Sequence, residues 1–274
     1  RNAAKALRKL EQETELLEFF ENQFYTIEKQ LKLILDKNSQ NSSLGVYLRT
    51  IVGVGPVVAG GLTSFLNIEK APSPGSFVRF AGFDPTSKWE KGQIRPWNAT
   101  LKRVVLYAMR SMWLWQNHKS EHYGSLLRMR FDFENQKNEN FEFKDQATQN
   151  LIKFNYAKDT VSYREYSKGK LPTQHIIARA KRWAAKIFLC HVYEVAYWLR
   201  YGIVARRPYS FDLLGHPHII IPPNSEFDPR FLQALKNRSP VMTTKEYAEH
   251  AYERLKIKKS NGIIEDNGDD DDDD

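Results

Sequence analysis

An unbroken helical periodicity at the start of the chain is the feature that most constrains the fold. Apolar residues recur there at steps of three and four, with charged residues between them and neither Gly nor Pro to interrupt the pattern. The apolar positions are Leu7, Leu10, Leu16, Leu17, Phe20, Phe24, Ile27, Leu31, Ile34 and Leu35. We predict one helix over 3–37, which is longer than the roughly 20 residues usual in globular proteins. Such a helix favours a coiled coil or an arm, and we expect a homo-oligomer that forms through it.

Helical patterns dominate the rest of the sequence, so the predicted fold class is mainly α. A polar linker at 38–43 follows the first helix. The last helix, over 243–257, is capped by Thr243 or Thr244, with Glu246 near the position that a capping box requires. The predicted divisions are a coiled-coil-like helix at 1–40, a helical domain at 44–201, a wrapping segment with a last helix at 202–257, and a disordered acidic tail at 258–274.

Inside the helical domain, two long helices and a charged loop are predicted. The apolar pattern gives a helix over 99–118, or as far as Met129, whereas the charged stretch 131–146 is typical of a loop. A second long helix is predicted over 174–201, with Pro172 just before its start. The second half of that helix is apolar nearly all round, which indicates burial.

The charge balance restricts the kind of partner. The 274 residues include 41 Lys and Arg against 33 Asp and Glu, a net charge of +8. The last six residues, 269–274, are all aspartate, and without them 41 basic side chains face 27 acidic ones, a balance of +14. A body this basic indicates a polyanionic partner, and we expect nucleic acid.

Composition also excludes several classes of protein. A hydrophobic share of 41% supports a packed core and excludes a wholly disordered chain. No apolar run approaches the roughly 18 residues of a membrane span, so no membrane association is expected. A single cysteine, Cys190, excludes a disulfide framework and is expected in the core. The start of the chain shows no secretory signal, and we expect a reducing cytoplasmic location. Since the chain begins with Arg1, we expect a fragment of a longer protein.

A glycine-containing hairpin is the sharpest local motif. Leu48 and Ile51 precede Gly53-Val54-Gly55, and the small residue Ala59 follows, which is the spacing of a helix-hairpin-helix over 46–66. The glycines permit positive φ and leave backbone N–H groups bare at a helix start, where they can hold a phosphate. Val54 anchors the turn between the helices. The alternative is a glycine-rich helix turn without a ligand.

The hairpin opens an ordered set of motifs. Its segment is followed by three others, so that the set reads 51–59, 77–85, 92–95 and 98–108. This order resembles the C-terminal domain of insertion sequence 110 family transposases, and the long first helix resembles the coiled coil that precedes that domain. The resemblance covers residues 1–115 and is vaguer over 170–200.

The resemblance implies DNA recombination guided by a structured RNA. In that family a serine attacks a phosphodiester and forms a phosphoserine link, which conserves the bond energy of the broken strand. Ser87 is the matching serine between the second and third motifs, and Thr86 is a weaker stand-in. The serine loop is shorter than the family's, and Ser87 could instead simply cap a turn. The family's acidic RuvC-like domain, which would bind Mg²⁺, is not among these residues, so no cofactor is expected in this chain. The alternative function is a non-catalytic nucleic-acid-binding protein derived from such a domain.

Basic residues cluster around this loop and again before the buried part of the helix at 174–201. They can neutralise phosphates, whereas the alternative for each is a solvated surface charge. The candidates for phosphate contact are Lys88, Lys91, Arg95, Lys102, Arg103, Arg110, Arg179, Lys181 and Arg182. Aromatic residues are interleaved with them and could stack on unpaired bases. Among these aromatics, Trp113, Trp115 and Trp183 are expected in the core.

One competing motif concerns zinc. His118, Glu121 and His122 match the H-x-x-E-H pattern of inverted zinc peptidases, which places two imidazoles on one helix face. Glu194 could supply a third ligand. Two ordinary surface histidines are the alternative, which we favour, and no metal site is predicted.

Overall fold

The computed structural model describes residues 15–206, 218–238 and 240–261, in which it contains eleven α-helices and one pair of two-residue parallel strands. Helices α1 to α6 are Glu15–Gln40, Ser43–Arg49, Pro56–Phe65, Pro74–Phe80, Ala99–Leu114 and Gly124–Glu139. Helices α7 to α11 are Lys144–Lys153, Val161–Ser167, Thr173–Tyr201, Pro229–Lys236 and Thr244–Asn261. Strands β1 and β2 are Ile219–Ile220 and Val241–Met242, and short 3₁₀ turns lie at Ile68–Lys70 and Ser225–Phe227. The prediction of a mainly α protein is confirmed.

Helix α1 begins at Glu15 within the described residues, and the part of the predicted arm at 3–14 lies outside them. The helix continues to Gln40, so the polar linker shrinks to Asn41 and Ser42. Ser39 is buried against Gly45 of α2, where any side chain would lie 2.0 Å from the Ser39 carbonyl oxygen. Ser42 caps α2 by accepting a hydrogen bond from the Gly45 amide. Several apolar residues of the arm lie on its surface, where Phe20, Phe24, Ile27, Leu31 and Ile34 are exposed, whereas Leu35 packs against Gly60 of α3.

Helix α9 runs through the centre of the core and packs against α2, α4, α5 and α6. Pro172 occupies its N-cap, as predicted, and Gly202 ends it in the left-handed conformation. The apolar second half is buried, with Phe188 and Val192 fully enclosed. Cys190 packs against this core as well, and burial raises the pKa of its thiol to about 12.

Most of the stretch 131–146 is helix rather than loop, because α6 continues to Glu139, a turn spans 140–143 and α7 begins at Lys144. The polar residues that suggested a loop face inward. Glu134 is buried and forms ion pairs with Arg130 and with Arg179 of α9. Asn138 is buried too, and its amide group bonds both the N–H and the carbonyl of Leu171. Helix α5, conversely, stops at Leu114 and does not reach 118.

Polar contacts fasten the C-terminal segment to the core. His191 of α9 bonds the Ile220 carbonyl on β1 and the Tyr123 hydroxyl, each at 2.8 Å. Arg238 pairs with the buried Glu194. Thr243 and Glu246 form the predicted capping box at the start of α11. That helix extends to Asn261, into the predicted tail, and residues 262–274 lie outside the described residues. Within the described ranges, no helix is both long enough and apolar enough to cross a membrane.

Candidate nucleic-acid interface

Helices α2 and α3 form the predicted hairpin, with a tight turn over Thr50–Gly55. Gly53 has φ +93°, a conformation that side chains rarely adopt, and a Cβ there would lie 2.9 Å from the Met112 side chain and 3.0 Å from its backbone nitrogen. Val54 is buried beneath the turn and Ala59 is fully buried between the helices. Val54 and Ala59 therefore have the packing that the spacing predicts, whereas of the two glycines only Gly53 has a positive φ. The turn lies directly on helix α5.

The start of α3 leaves backbone donors bare. Gly55 is the N-cap and has no side chain to cap the helix, while Pro56 at the first position has no N–H. The first amide to bond within the helix is that of Ala59, which donates to the Gly55 carbonyl at 3.0 Å. Within the described residues, the amides of Val57 and Val58 donate to no carbonyl. Two N–H groups without an acceptor thus lie at the positive end of the helix, which suits a phosphate.

An open depression faces this turn. It is lined by Val52 to Gly55 on one side and by Ser111, Trp115 and His118 on the other. Trp115, which was expected in the core, is 51% exposed and packs edge-on against the His118 ring at 5.4 Å. The expectation was wrong because α5 ends at Leu114, one residue before Trp115. Trp115 therefore lies at the C-cap rather than on the buried helix face.

His122 supports the turn from behind. Its Nδ1 accepts a hydrogen bond from the Val52 amide at 3.2 Å, and its Nε2 lies 3.1 Å from the Asn224 carboxamide oxygen. Asn224 in turn donates to the Thr50 carbonyl and hydroxyl. Burial lowers the pKa of His122, although Asn224 and nearby carboxylates oppose that shift. A neutral imidazole is what this arrangement requires, because Nδ1 accepts.

The same contacts exclude the zinc interpretation. The H-x-x-E-H stretch lies beyond the end of α5, so His118 and His122 share no helix face. Glu121 accepts from the Ser125 amide, and Glu194 is paired with Arg238. Among the described parts of the chain, no group of three or more His, Cys, Asp or Glu residues is placed to hold a metal ion.

A second opening lies at the other end of α5, and we call it the indole cleft. It is lined by Trp89, Arg95, Trp97, Ala99, Lys102, Arg103 and Leu106. The Arg95 guanidinium lies 4.7 Å above the Trp89 ring, and the Lys102 ammonium lies 4.9 Å from the Trp97 ring. Cations and flat aromatic rings therefore face the same open space, which is the composition of sites that bind nucleic acid.

Helix α5 joins the two openings. Three exposed residues of this helix are Arg103, Tyr107 and Arg110. They lie on the same helix face because they are spaced at four and three residues. Arg110 lies near Lys181 of α9: burial, and then the charge of Arg110, lowers the pKa of Lys181. The helix has 16 residues, so this face is about 24 Å long. We call Arg95, Lys102, Arg103, Arg110 and Lys181 the basic stripe.

Ser87 lies on the loop between α4 and the indole cleft. Asp84, not Ser87, caps the turn there: its carboxylate accepts from the Thr86 amide and hydroxyl, at 3.0 and 2.7 Å. The Ser87 amide donates to the Asp84 carbonyl, while its hydroxyl has no partner among the described residues. The side chain is half-buried. Turn capping is thus not the role of Ser87, and its hydroxyl is free for another contact.

The remaining sequence candidates divide into two groups. Lys88 and Lys91 are exposed on the loop that carries Ser87. Arg179, in contrast, is largely buried, with its Nε 2.7 Å from a Glu134 oxygen and its guanidinium over the Phe143 ring. Its charge is compensated inside the protein, so we leave Arg179 out of the interface. Arg182 is half-buried, and burial, followed by the charge of Arg182, lowers the pKa of His175.

Sequence reasoning did not identify every residue of this surface. It missed Ser111 and considered His118 only as part of a zinc motif, because neither is placed beside the hairpin until α5 is seen to pass under Gly53. Comparison with known proteins gives no further guide, since no family model, curated protein or solved structure matches the chain.

Proposed function

We propose that this chain binds the phosphate backbone of DNA through the hairpin turn and the basic stripe. The observation that carries the proposal is their continuity: the bare amides of Val57 and Val58 lie at one end of α5 and the cations Lys102 and Arg103 at the other. A helix N-terminus and a row of cations both favour phosphate oxygens. Contacts of this kind are independent of base sequence, so they position the protein on DNA.

The order of motifs supports a more specific role, that of the transposase domain of an insertion sequence 110 type recombinase. In this role the Ser87 Oγ attacks a backbone phosphorus, forms the phosphoserine bond and releases the hydroxyl of the broken strand. Its free hydroxyl and the neighbouring Lys88 and Lys91 are consistent with such a step. A structured guide RNA would bind through the same cations. A recombinase that acts on bacterial DNA would be located in the cytoplasm.

The alternative is a protein that binds nucleic acid without cleaving it. It is favoured by the shortness of the Ser87 loop and by the absence, among the described residues, of a histidine or carboxylate that bonds the Ser87 hydroxyl. Both functions use the same binding surface and differ only in whether Ser87 reacts.

Binding is tested by the salt dependence of affinity for a labelled DNA duplex. Each phosphate contact contributes about −0.9 to the slope of log K against log salt. An Arg103→Gln, Arg110→Gln double variant should therefore bind more weakly, with a slope shallower by about 2. Lys236→Gln, an exposed charge on α10, is the matched control and should leave the slope unchanged. If the double variant keeps the wild-type slope, the basic stripe is not the binding surface.

Cleavage is tested by trapping covalent protein–DNA adducts under denaturing conditions. The recombinase role predicts adducts for the wild type and for Ser120→Ala, a control at an exposed loop serine, but none for Ser87→Ala. Adducts that persist in Ser87→Ala contradict the assignment of the nucleophile. Duplex binding without adducts in the wild type, in the presence of the complementing RuvC-like domain and Mg²⁺, supports the non-catalytic alternative.

A further inference from the structure

The indole cleft contains more than a phosphate site needs. Its open volume is about 530 Å³, within the range of roughly 300–1,000 Å³ that is typical of sites for small ligands. Two tryptophan rings, Trp89 and Trp97, line it together with three cationic side chains. Ile94, on the same loop, is 96% exposed. Phosphate contacts explain the cations but give no reason for aromatic and aliphatic surface at this position.

Both indoles are held in place by the protein. The Trp89 Nε1 donates a hydrogen bond to the Gln93 carbonyl at 2.8 Å, and this bond closes the loop between Trp89 and Gln93. Trp97 lies against Gly82, where any Cβ would come within 2.6 Å of the ring. Gly82 has φ +72°, and the turn it makes brings the backbone against the indole. The rings are thus fixed before a ligand arrives, which lowers the entropic cost of stacking on them.

The faces of bases in a duplex are covered by their neighbours, so a duplex offers these indoles little to stack on. An unpaired nucleotide offers both a free base face and a flanking phosphate. The cleft has a partner for each: indole rings and the Arg95 guanidinium plane for the base, and Lys102 and Arg103 for the phosphates. Charge and shape therefore favour a single-stranded segment over a duplex at this end of α5.

We propose that the indole cleft captures an unpaired nucleotide of the bound nucleic acid, with its base stacked on Trp89 or Trp97. The proposal rests on the proposed function, since it names the form of nucleic acid that one part of the surface accepts. Trp89 follows Ser87 by two residues, so the captured nucleotide would lie on the loop that carries the candidate nucleophile. The duplex part of the same molecule would lie at the hairpin, along α5.

The test compares single-stranded and duplex affinities of the full chain. The probes are fluorescein-labelled oligothymidylate, the matching oligouridylate, and a hairpin-free duplex. The binding free energy that a base gains by stacking on one aromatic ring corresponds to about tenfold or more in affinity. Trp89→Ala should therefore weaken binding of the single strands about tenfold or more. Trp89→Phe should restore most of it, and duplex affinity should change less than about twofold. Phe154→Ala removes an exposed ring at the end of α7 and should alter neither affinity.

The outcomes separate this proposal from the proposed function. Duplex binding that depends on Arg103 and Arg110, together with single-strand affinity unchanged in Trp89→Ala and in Trp97→Ala, overturns the cleft proposal alone. Failure of the wild type to bind duplex overturns the proposed function. A larger loss for oligothymidylate than for oligouridylate assigns the captured nucleotide to DNA, and the reverse assigns it to RNA. Quenching of tryptophan fluorescence by the single strands, reduced in Trp89→Ala, is the independent readout.

Discussion

An aspartate at position 55 should separate DNA binding from folding. Gly55 is the N-cap of α3 with φ −87° and ψ 178°, an extended conformation open to any residue. A Cβ built there meets nothing within 4 Å. Position 55 therefore accepts a side chain without strain, unlike Gly53, and the side chain would lie beside the bare amides of Val57 and Val58.

The stabilisation expected from Gly55→Asp follows from helix capping. An aspartate N-cap accepts from a first-turn amide and complements the positive end of the helix, which together contribute about 0.5–1 kcal/mol. For a chain of this size the melting temperature should rise by about 1–4 °C. The same carboxylate occupies the amides that we assign to phosphate. Since a hydrogen bond to a charged group is worth about 1.5–3 kcal/mol, duplex affinity should fall by at least about tenfold.

The assay measures thermal unfolding and fluorescence anisotropy with a labelled duplex on the same preparations. Gly55→Asn is the matched control, because it caps the helix equally well but carries no charge, and it should lose less affinity. Gly53→Ala should instead lose stability, by about 2 kcal/mol or more, because of its positive φ and the Met112 backbone. A folded Gly55→Asp variant that binds duplex as tightly as the wild type would refute the role of the hairpin amides.

Three other predictions concern stability and assembly. Burial lowers the pKa of His191 to about 4, so its contribution to stability is complete above pH 6.5 and is lost as the pH falls toward 4. Urea midpoints should fall across that window, and His191→Gln should flatten the decline; a pH-independent midpoint would contradict this. Glu134→Gln leaves the buried Arg130 and Arg179 uncompensated and should cost about 3–5 kcal/mol in urea unfolding, whereas a loss below about 1 kcal/mol would count against a structural ion pair. Phe24→Glu should convert the expected oligomer to monomer in sedimentation without unfolding it, since Phe24 is exposed on α1, and a monomeric wild type would disprove association through the arm.

Local sequence signals predicted the elements whose causes are local. The hairpin depends on Gly53 and Pro56 within one short stretch, and the structure has it where the spacing indicated. The capping box of Thr243 and Glu246 is likewise complete within four residues. Such features need no distant partner, so a single sequence contains all the information on which they depend.

Elements with distant partners were harder to predict. The part of helix α6 from residue 131 onward was expected to be a loop because residues such as Glu134 and Asn138 are polar, and polar residues usually face water. Arg130 is a near partner of Glu134, but Arg179 lies 45 residues from Glu134 and the Leu171 backbone lies 33 residues from Asn138. The local sequence therefore does not indicate that these polar residues are buried. Because Arg179 forms an ion pair with Glu134 inside the protein, it is no longer a candidate for phosphate contact.

The candidate site shows the same division. The glycines, Lys102 and Arg103 were identified from sequence because each belongs to a motif or a local cluster. Their arrangement along one face could not be predicted, because it depends on α5 packing under Gly53. Trp115 was assigned to the core for a related reason, since an end of α5 at Leu114 rather than 118 moves its side chain into solvent.

The central claim is that nucleic acid covers the hairpin turn and the exposed face of α5. Amide hydrogen exchange of the full chain, with and without a DNA duplex, tests it most directly. We predict slower exchange on DNA binding at 53–58, where the amides of Val57 and Val58 are bare, and no change at 144–153 in α7. Protection that is absent from 53–58 but present elsewhere on the chain would contradict the account.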